Sequence, residues 1–218
     1  MNIKKAIDSF VDGKNKNKGK QPNERYASFD YCYNYFYGFY KKGRLLELAS
    51  NERMHESCLQ IGFYLASWGM MRGSSFLLEK SARNFQPLIK TISHISPKLW
   101  EIDVNNYDEE TIELLMDCKK QIIEALGVNN NPSDTLITKI MLGVFGNVPA
   151  YDQYFRKSFG VYKFNKKSLL KVKQFYEVNK EIFDSYDIRS FDFLTGNETT
   201  HKYSVAKLID MCGFIDGQ

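Results

Sequence analysis

Apolar side chains recur along this chain at intervals of three and four residues, and clusters of Gly, Pro and Asn cut the pattern into segments. That period belongs to helices with one buried face. Ile3, Ala6, Ile7, Phe10 and Val11 make a first short stripe. Residues 24–41 make a second, with Tyr26, Phe29, Tyr33, Phe36 or Tyr37, and Tyr40 in register. This run also alternates between Phe29 and Tyr37 as a strand would. Its length, the cap candidate Asn23 and the stop Lys41-Lys42-Gly43 favour a helix.

The pattern continues over 44–71 with a break near Ser50-Asn51, then over 75–95, which Pro97 ends. Residues 101–107 read as a loop. Asp108 is an N-cap for a helix to about Leu126, closed by Gly127. Asn129–Ser133 is a turn that caps a helix over 134–145. Gly146-Asn147-Val148 is a break, and Pro149 suits the first turn of a helix over 149–159. Helices are expected at 167–186 and 201–213, with a polar loop at 188–200. No strand pair and no solenoid repeat emerge. The expected fold is all-α, a single-domain multi-helix bundle of about eight or nine helices. Residues 1–23 form an N-terminal segment with a Lys-rich flexible loop, and 24–218 form one helical domain.

With 218 residues, such a chain buries a core without disulfides or a structural metal. Cys32, Cys58, Cys118 and Cys212 are too far apart in sequence for a CxxC pair, and His55, His94 and His201 form no HExxH. No metal site and no cofactor are expected. Asp8 interrupts the only candidate leader, and the run Leu59–Met71 is too short to span a bilayer. No membrane partner is therefore expected, and the location by elimination is cytoplasmic. Glycine-rich dinucleotide and phosphate loops, the GxSxG elbow and the kinase signatures are all absent.

Three constellations could carry chemistry. Arg72-Gly73-Ser74-Ser75 joins the end of one helix to the start of the next. Free N–H groups, two hydroxyls and a guanidinium there could hold an anion, or could simply cap a turn. The second is the corner from Lys139 through Gly143 and Gly146 to Asp152. Asp152 falls in a first helical turn, where a carboxylate either complements the dipole or faces a cleft as acid or base, with Lys139 beside it. The third is charge segregation beneath a net charge of only +4. Arg156, Lys157, Lys163, Lys166, Lys167, Lys171 and Lys173 follow one another with no acid among them, interleaved with Phe159, Tyr162 and Phe164. Cations can hold phosphates while rings stack on bases. Residues 101–117 are the acidic counterpart. The two runs either pair within the chain or face solvent, and the acidic one could also form a homotypic contact. Of the 15% aromatic content, the rings at Tyr151, Tyr154, Phe159, Tyr162 and Phe164 lie nearest to this acid and these cations.

The segments LASWGMMRGSSFLL, TLITKIMLGVFGNVPAYDQYF and AKLIDM resemble an uncharacterised bacterial family of helical proteins that carries no established activity. Val148-Pro149-Ala150-Tyr151-Asp152 also resembles, over about twenty residues, the layout of helix-hairpin-helix DNA glycosylases. That resemblance implies a catalytic acid at Asp152. The chain departs from it in the spacing of Gly143 and Gly146, in the position of Lys139 and in lacking the four-cysteine cluster loop.

The expected function is a nucleic-acid-engaging helical protein, with a glycosylase-like activity as its sharpest form. In it Asp152 and Lys139 are the catalytic pair. Arg72, Ser74, Ser75, Tyr151, Arg156, Lys157, Lys163, Lys166 and Lys167 bind nucleic acid, with the Lys14–Lys20 arm alongside. The alternatives are a non-catalytic interaction module, self-associating through aromatics at 26–40, and a small-molecule enzyme with a pocket between Arg72 and Asp152.

Overall fold

The computed structural model describes residues 1–13 and 18–218. Among the described residues it contains ten α-helices, several short 3-10 turns and one antiparallel hairpin, so the fold is all-α. The helices are α1 (Ile3–Asp12), α2 (Ala27–Lys41), α3 (Met54–Ser67), α4 (Gln86–His94) and α5 (Glu109–Leu126). They continue as α6 (Asp134–Phe145), α7 (Gln153–Phe159), α8 (Lys166–Val178), α9 (Lys180–Asp184) and α10 (Val205–Asp216). The hairpin pairs β1 (Arg189–Phe191) with β2 (Glu198–Lys202). No helix among the described residues is long and apolar enough to cross a membrane.

Two helices are buried nearly all round and form the centre. In α6 every residue from Leu136 to Phe145 is buried, and in α10 every residue from Ala206 to Phe214. A helix without a wet face must be surrounded by other elements. Here α2 and α3 cover α6, while α1 and α7 cover α10. α10 and α7 approach closely because residue 213 is Gly: an added Cβ would lie 3.2 Å from Cε2 of both Phe155 and Phe159.

Buried side chains from Ile3 to Phe214 form one contiguous cluster. α1 belongs to it: Phe10 stacks on Tyr26 with ring centroids 4.1 Å apart and meets Phe214 edge-on. The aromatic stretch is likewise internal. Tyr26, Phe29 and Phe36 are buried, and Tyr31, Tyr33, Tyr35, Tyr37, Phe39 and Tyr40 are partly covered. Among the described residues no ring of this stretch is fully exposed.

Several expected elements differ. The run 75–95 holds two four-residue 3-10 turns, Phe76–Glu79 and Ala82–Phe85, before α4 begins. The run 167–186 divides at Asn179 into α8 and α9. Residues 188–200 are the β1 strand and much of β2 rather than a plain loop. Asp30 and Asn34 of α2 hold that hairpin, since Phe191 N donates to Asp30 Oδ2 at 2.9 Å and Asn34 Nδ2 donates to Phe191 O at 3.0 Å. The helix expected from Pro149 starts only at Gln153.

Candidate functional site

The corner between α6 and α7 brings Lys139 and Asp152 together. Asp152 is the N-cap of α7: its Oδ1 accepts from Tyr154 N and Phe155 N, both at 3.0 Å. Its Oδ2 lies 3.4 Å from Lys139 Nζ. Lys139 is 4% exposed, and its ammonium lies 5.1 Å from the Trp68 ring centroid. Both oxygens of Asp152 are thus committed, one to the helix start and one to a buried counterion. In this arrangement Asp152 and Lys139 fix the corner.

A second buried pair sits beside the first. Lys207 Nζ lies 2.9 Å from Asp210 Oδ2, one turn apart on α10. Asp210 Oδ1 accepts from Ala150 N at 3.0 Å and so pins the segment before α7. Lys207 is 1% exposed, with the rings of Phe29, Phe10 and Trp68 at 4.6, 5.0 and 5.4 Å. Cation–π attraction is strongest where water is excluded. Trp68 therefore joins the two ion pairs into one buried charged cluster. The sequence reading missed Lys207 and Asp210. Their signal was an i, i+3 pair of opposite charge inside an otherwise apolar helix.

At the Arg72 constellation the structure shows a capped turn. Ser75 Oγ donates to Met70 O at 2.6 Å and accepts from Leu77 N, capping a 3-10 turn of four residues. Ser74 is exposed. Arg72 is exposed too and folds back over Gly69, where an added Cβ would lie 2.8 Å from its Nε. Among the described residues, no hydrogen bond or ion pair joins Arg72 to Asp152.

The basic stretch sorts into committed and free cations. Lys157 Nζ donates to Gly217 O at 2.8 Å and ties α7 to the C-terminus. Lys166 pairs with Glu109 at 2.9 Å, and Lys173 donates to Tyr107 O at 2.7 Å. The acidic run and the basic run therefore meet across α5 and α8. Arg156 is partly buried, with an Nε that finds no acceptor among the described residues. The rings are corrected in the same way. Tyr151 is 0% exposed and donates to Ser168 Oγ at 3.0 Å, and Phe159 and Phe164 are buried. Tyr154 is partly covered, while Tyr162 is 77% exposed.

What remains is a coherent surface. Lys163, Lys167 and Lys171 are exposed and pair with no carboxylate among the described residues, although Lys171 Nζ donates to Gly160 O at 3.5 Å. With Tyr162 and Leu170 they line a cleft of about 730 Å³ between the loop 160–165 and α8. The loop is held rigidly. Phe164 N donates to Asp134 Oδ2 at 2.8 Å, and Lys119 Nζ bridges Asp134 Oδ1 and Phe164 O at 2.7 and 2.9 Å. Asn165 and Ser168 close a reciprocal capping box at the start of α8. The backbone on either side of the cleft is thus anchored at Phe164 and Asn165.

The Lys14–Lys20 arm fits less well. Lys14 and Lys16 lie outside the described residues. Lys18 pairs with Glu24 at 2.8 Å. Lys20 is 4% exposed, lies 3.6 Å from Asp30 Oδ2 and sits 3.3 Å over the Phe191 ring, so it is an internal anchor. Burial pushes the Asp30 carboxyl up from 3.8 to about 6, against the opposing pull of Lys20, the Tyr203 hydroxyl, the Phe191 N–H and Lys207. Between those values the folded chain keeps a proton that the unfolded chain has lost. Stability therefore rises as pH falls from 7 to 5, by about 1 kcal/mol from this group. Urea midpoints across that range check it: Asp30→Asn should remove that part of the slope, and an unchanged slope would refute the assignment.

Burial raises the thiols of Cys32, Cys58, Cys118 and Cys212 above their ordinary range, which leaves them unreactive. Among the described residues no group of three or more His, Cys, Asp or Glu is placed to hold a metal ion. No family model, no curated protein and no solved structure matches the chain, so neither resemblance noted in the sequence gains support from such comparisons.

Proposed function

We propose that this protein engages single-stranded nucleic acid along the cleft between residues 160–165 and α8. The observation that carries the reading is a group of three exposed lysines without a carboxylate partner among the described residues, of which Lys171 makes one long contact to Gly160 O at 3.5 Å, together with one exposed tyrosine. Lys167 and Lys171 lie one helical turn apart, a rise of about 6 Å, which suits neighbouring phosphates on an extended strand. Tyr162 offers a face on which any base can stack, so the expected binding is tolerant of sequence. The buried pairs Lys139–Asp152 and Lys207–Asp210 serve this reading by fixing the start of α7, whose other end leads into the loop at 160.

Fluorescence anisotropy with a labelled oligothymidylate, titrated across salt, tests the proposal. Three phosphate contacts give a slope of log K against log salt of about −2 for a single strand. Each Lys→Gln substitution at 163, 167 or 171 should reduce that slope by about 0.7. Tyr162→Ala should weaken binding roughly tenfold with the slope unchanged, in keeping with a lost stacking contact of about 1–3 kcal/mol. Absence of binding at low salt, or binding that the lysine substitutions leave intact, would remove the reading.

A further inference from the structure

A second depression, of about 220 Å³, lies along α2. Its floor is the row Asn34, Gly38 and Lys42, one turn apart on the helix. Tyr35 and Phe39 stand beside the floor, and Arg44 and Arg53 rise opposite. The volume equals about seven water molecules' share of the liquid, enough for a small organic molecule.

Gly38 is the informative residue. A glycine inside a helix costs about 1 kcal/mol relative to alanine. At Gly143 and Gly213 close packing requires it, since an added Cβ would overlap a neighbouring ring. At Gly38 nothing lies within 4 Å of an added Cβ, and its backbone angle is not in the left-handed range. Neither packing nor conformation calls for glycine there. A larger side chain at this lining position would project into the groove.

The rim is cationic. Lys42, Arg44 and Arg53 surround a single lining carboxylate, Glu47, which the Arg44 hydrogen bond and the nearby cations hold below its ordinary range. Arg44 pairs with Glu47, and Arg53 pairs with Glu56 at 2.7 Å. All four side chains are at least 40% exposed, and ion pairs of that kind contribute little, so they exchange readily for a better acceptor. Lys42 has no ion-pair partner among the described residues. The apolar wall is fixed, because Tyr35 OH donates to Ser57 Oγ at 2.8 Å and Ser57 Oγ donates to Leu48 O at 2.8 Å. The Tyr35 and Phe39 rings lie 5.2 Å apart.

The geometry points to a binding site here for a small organic oxyanion. A phosphate or carboxylate is held by Lys42, Arg44 and Arg53, and the planar apolar body that carries it lies over Gly38 against Tyr35 and Phe39. The site is separate from the lysine cleft and does not depend on nucleic-acid binding.

Calorimetric titration of the full chain with phenyl phosphate, benzoate and inorganic phosphate tests it. Phenyl phosphate or benzoate should bind one to one, and the tighter of the two identifies the head group. Inorganic phosphate should bind at least about tenfold more weakly, for want of the planar body. Gly38→Leu fills the groove with a good helix former, so it should keep or raise the melting temperature while weakening the organic probes at least about tenfold. Arg53→Gln should weaken them without change in fold. No binding by any probe at about 10 mM, or equal binding by Gly38→Leu and the unaltered chain, would overturn the proposal. So would loss of the probe in a Lys163→Gln, Lys167→Gln, Lys171→Gln variant, which would place it in the lysine cleft.

Discussion

Asp210→Asn is expected to destabilise the protein by about 3–5 kcal/mol, because it leaves the buried Lys207 ammonium without its counterion. Lys207 is 1% exposed, and its one ion-pair partner among the described residues lies 2.9 Å away. Asparagine keeps an oxygen for the Ala150 N–H, so the substitution isolates the charge from the cap. The three rings around Lys207 still attract the cation and keep the loss below the full cost of burying a bare charge. In a chain of this size each kcal/mol moves the melting temperature by about 2–4 °C, so a fall of roughly 10 °C should be seen by thermal unfolding. Adding Lys207→Met removes both charges and should recover most of the loss, since an apolar replacement of a buried pair is often neutral. A fall of less than about 1 kcal/mol in the single variant would mean that the buried Lys207 ammonium does not depend on Asp210 as its counterion.

Gly143→Val is expected to cost about 3 kcal/mol, at the upper end of what overpacking does in a closed core. Gly143 lies where α6 crosses α3, and an added Cβ would overlap Cε1 of Tyr64 and lie 2.8 Å from its Cδ1. Tyr64 is 2% exposed and cannot swing into solvent. The two helices must separate or the ring must leave its rotamer. A urea midpoint gives the loss. The double variant Gly143→Val, Tyr64→Leu should be less destabilised than the two single losses combined, because removal of the ring makes room for the new methyls. Additive losses would show that the crossing is looser than the structure has it.

Local signals marked many helix ends, because caps are decided within a few residues. Asp108 and Gly127 bound α5, and Ser133 and Gly146 bound α6, as their side chains and backbone preferences dictate. The start of α7 was not legible. Pro149 suits a first helical turn, yet Asp210 draws Ala150 N from sixty residues away and Asp152 caps the helix at Gln153 instead. The hairpin was hidden for the same reason, since two polar strands are held in place by Asp30 and Asn34 of α2.

The candidate site divides along the same line. The segregation of Lys163, Lys167 and Lys171 was legible as a run without acids. The commitment of Lys157, Lys166 and Lys173 was not, because their partners are Gly217, Glu109 and Tyr107. Lys139 and Asp152 read as neighbours, but their role turns on two backbone N–H groups and the contact of the buried Lys139 with Trp68. Lys20 read as part of a wet loop and is an internal anchor, which only the fold of α2 against the hairpin creates.

The central claim is that Tyr162 and the three exposed lysines around it are where a nucleic-acid strand lies. Ultraviolet cross-linking of a bound oligothymidylate, followed by peptide mapping, tests it most directly. The account expects the cross-linked peptide to contain Tyr162 and the yield to collapse in the Lys163→Gln, Lys167→Gln, Lys171→Gln variant. A cross-link confined to another exposed ring, such as Phe63 or Phe193, or a yield indifferent to those lysines, would contradict it.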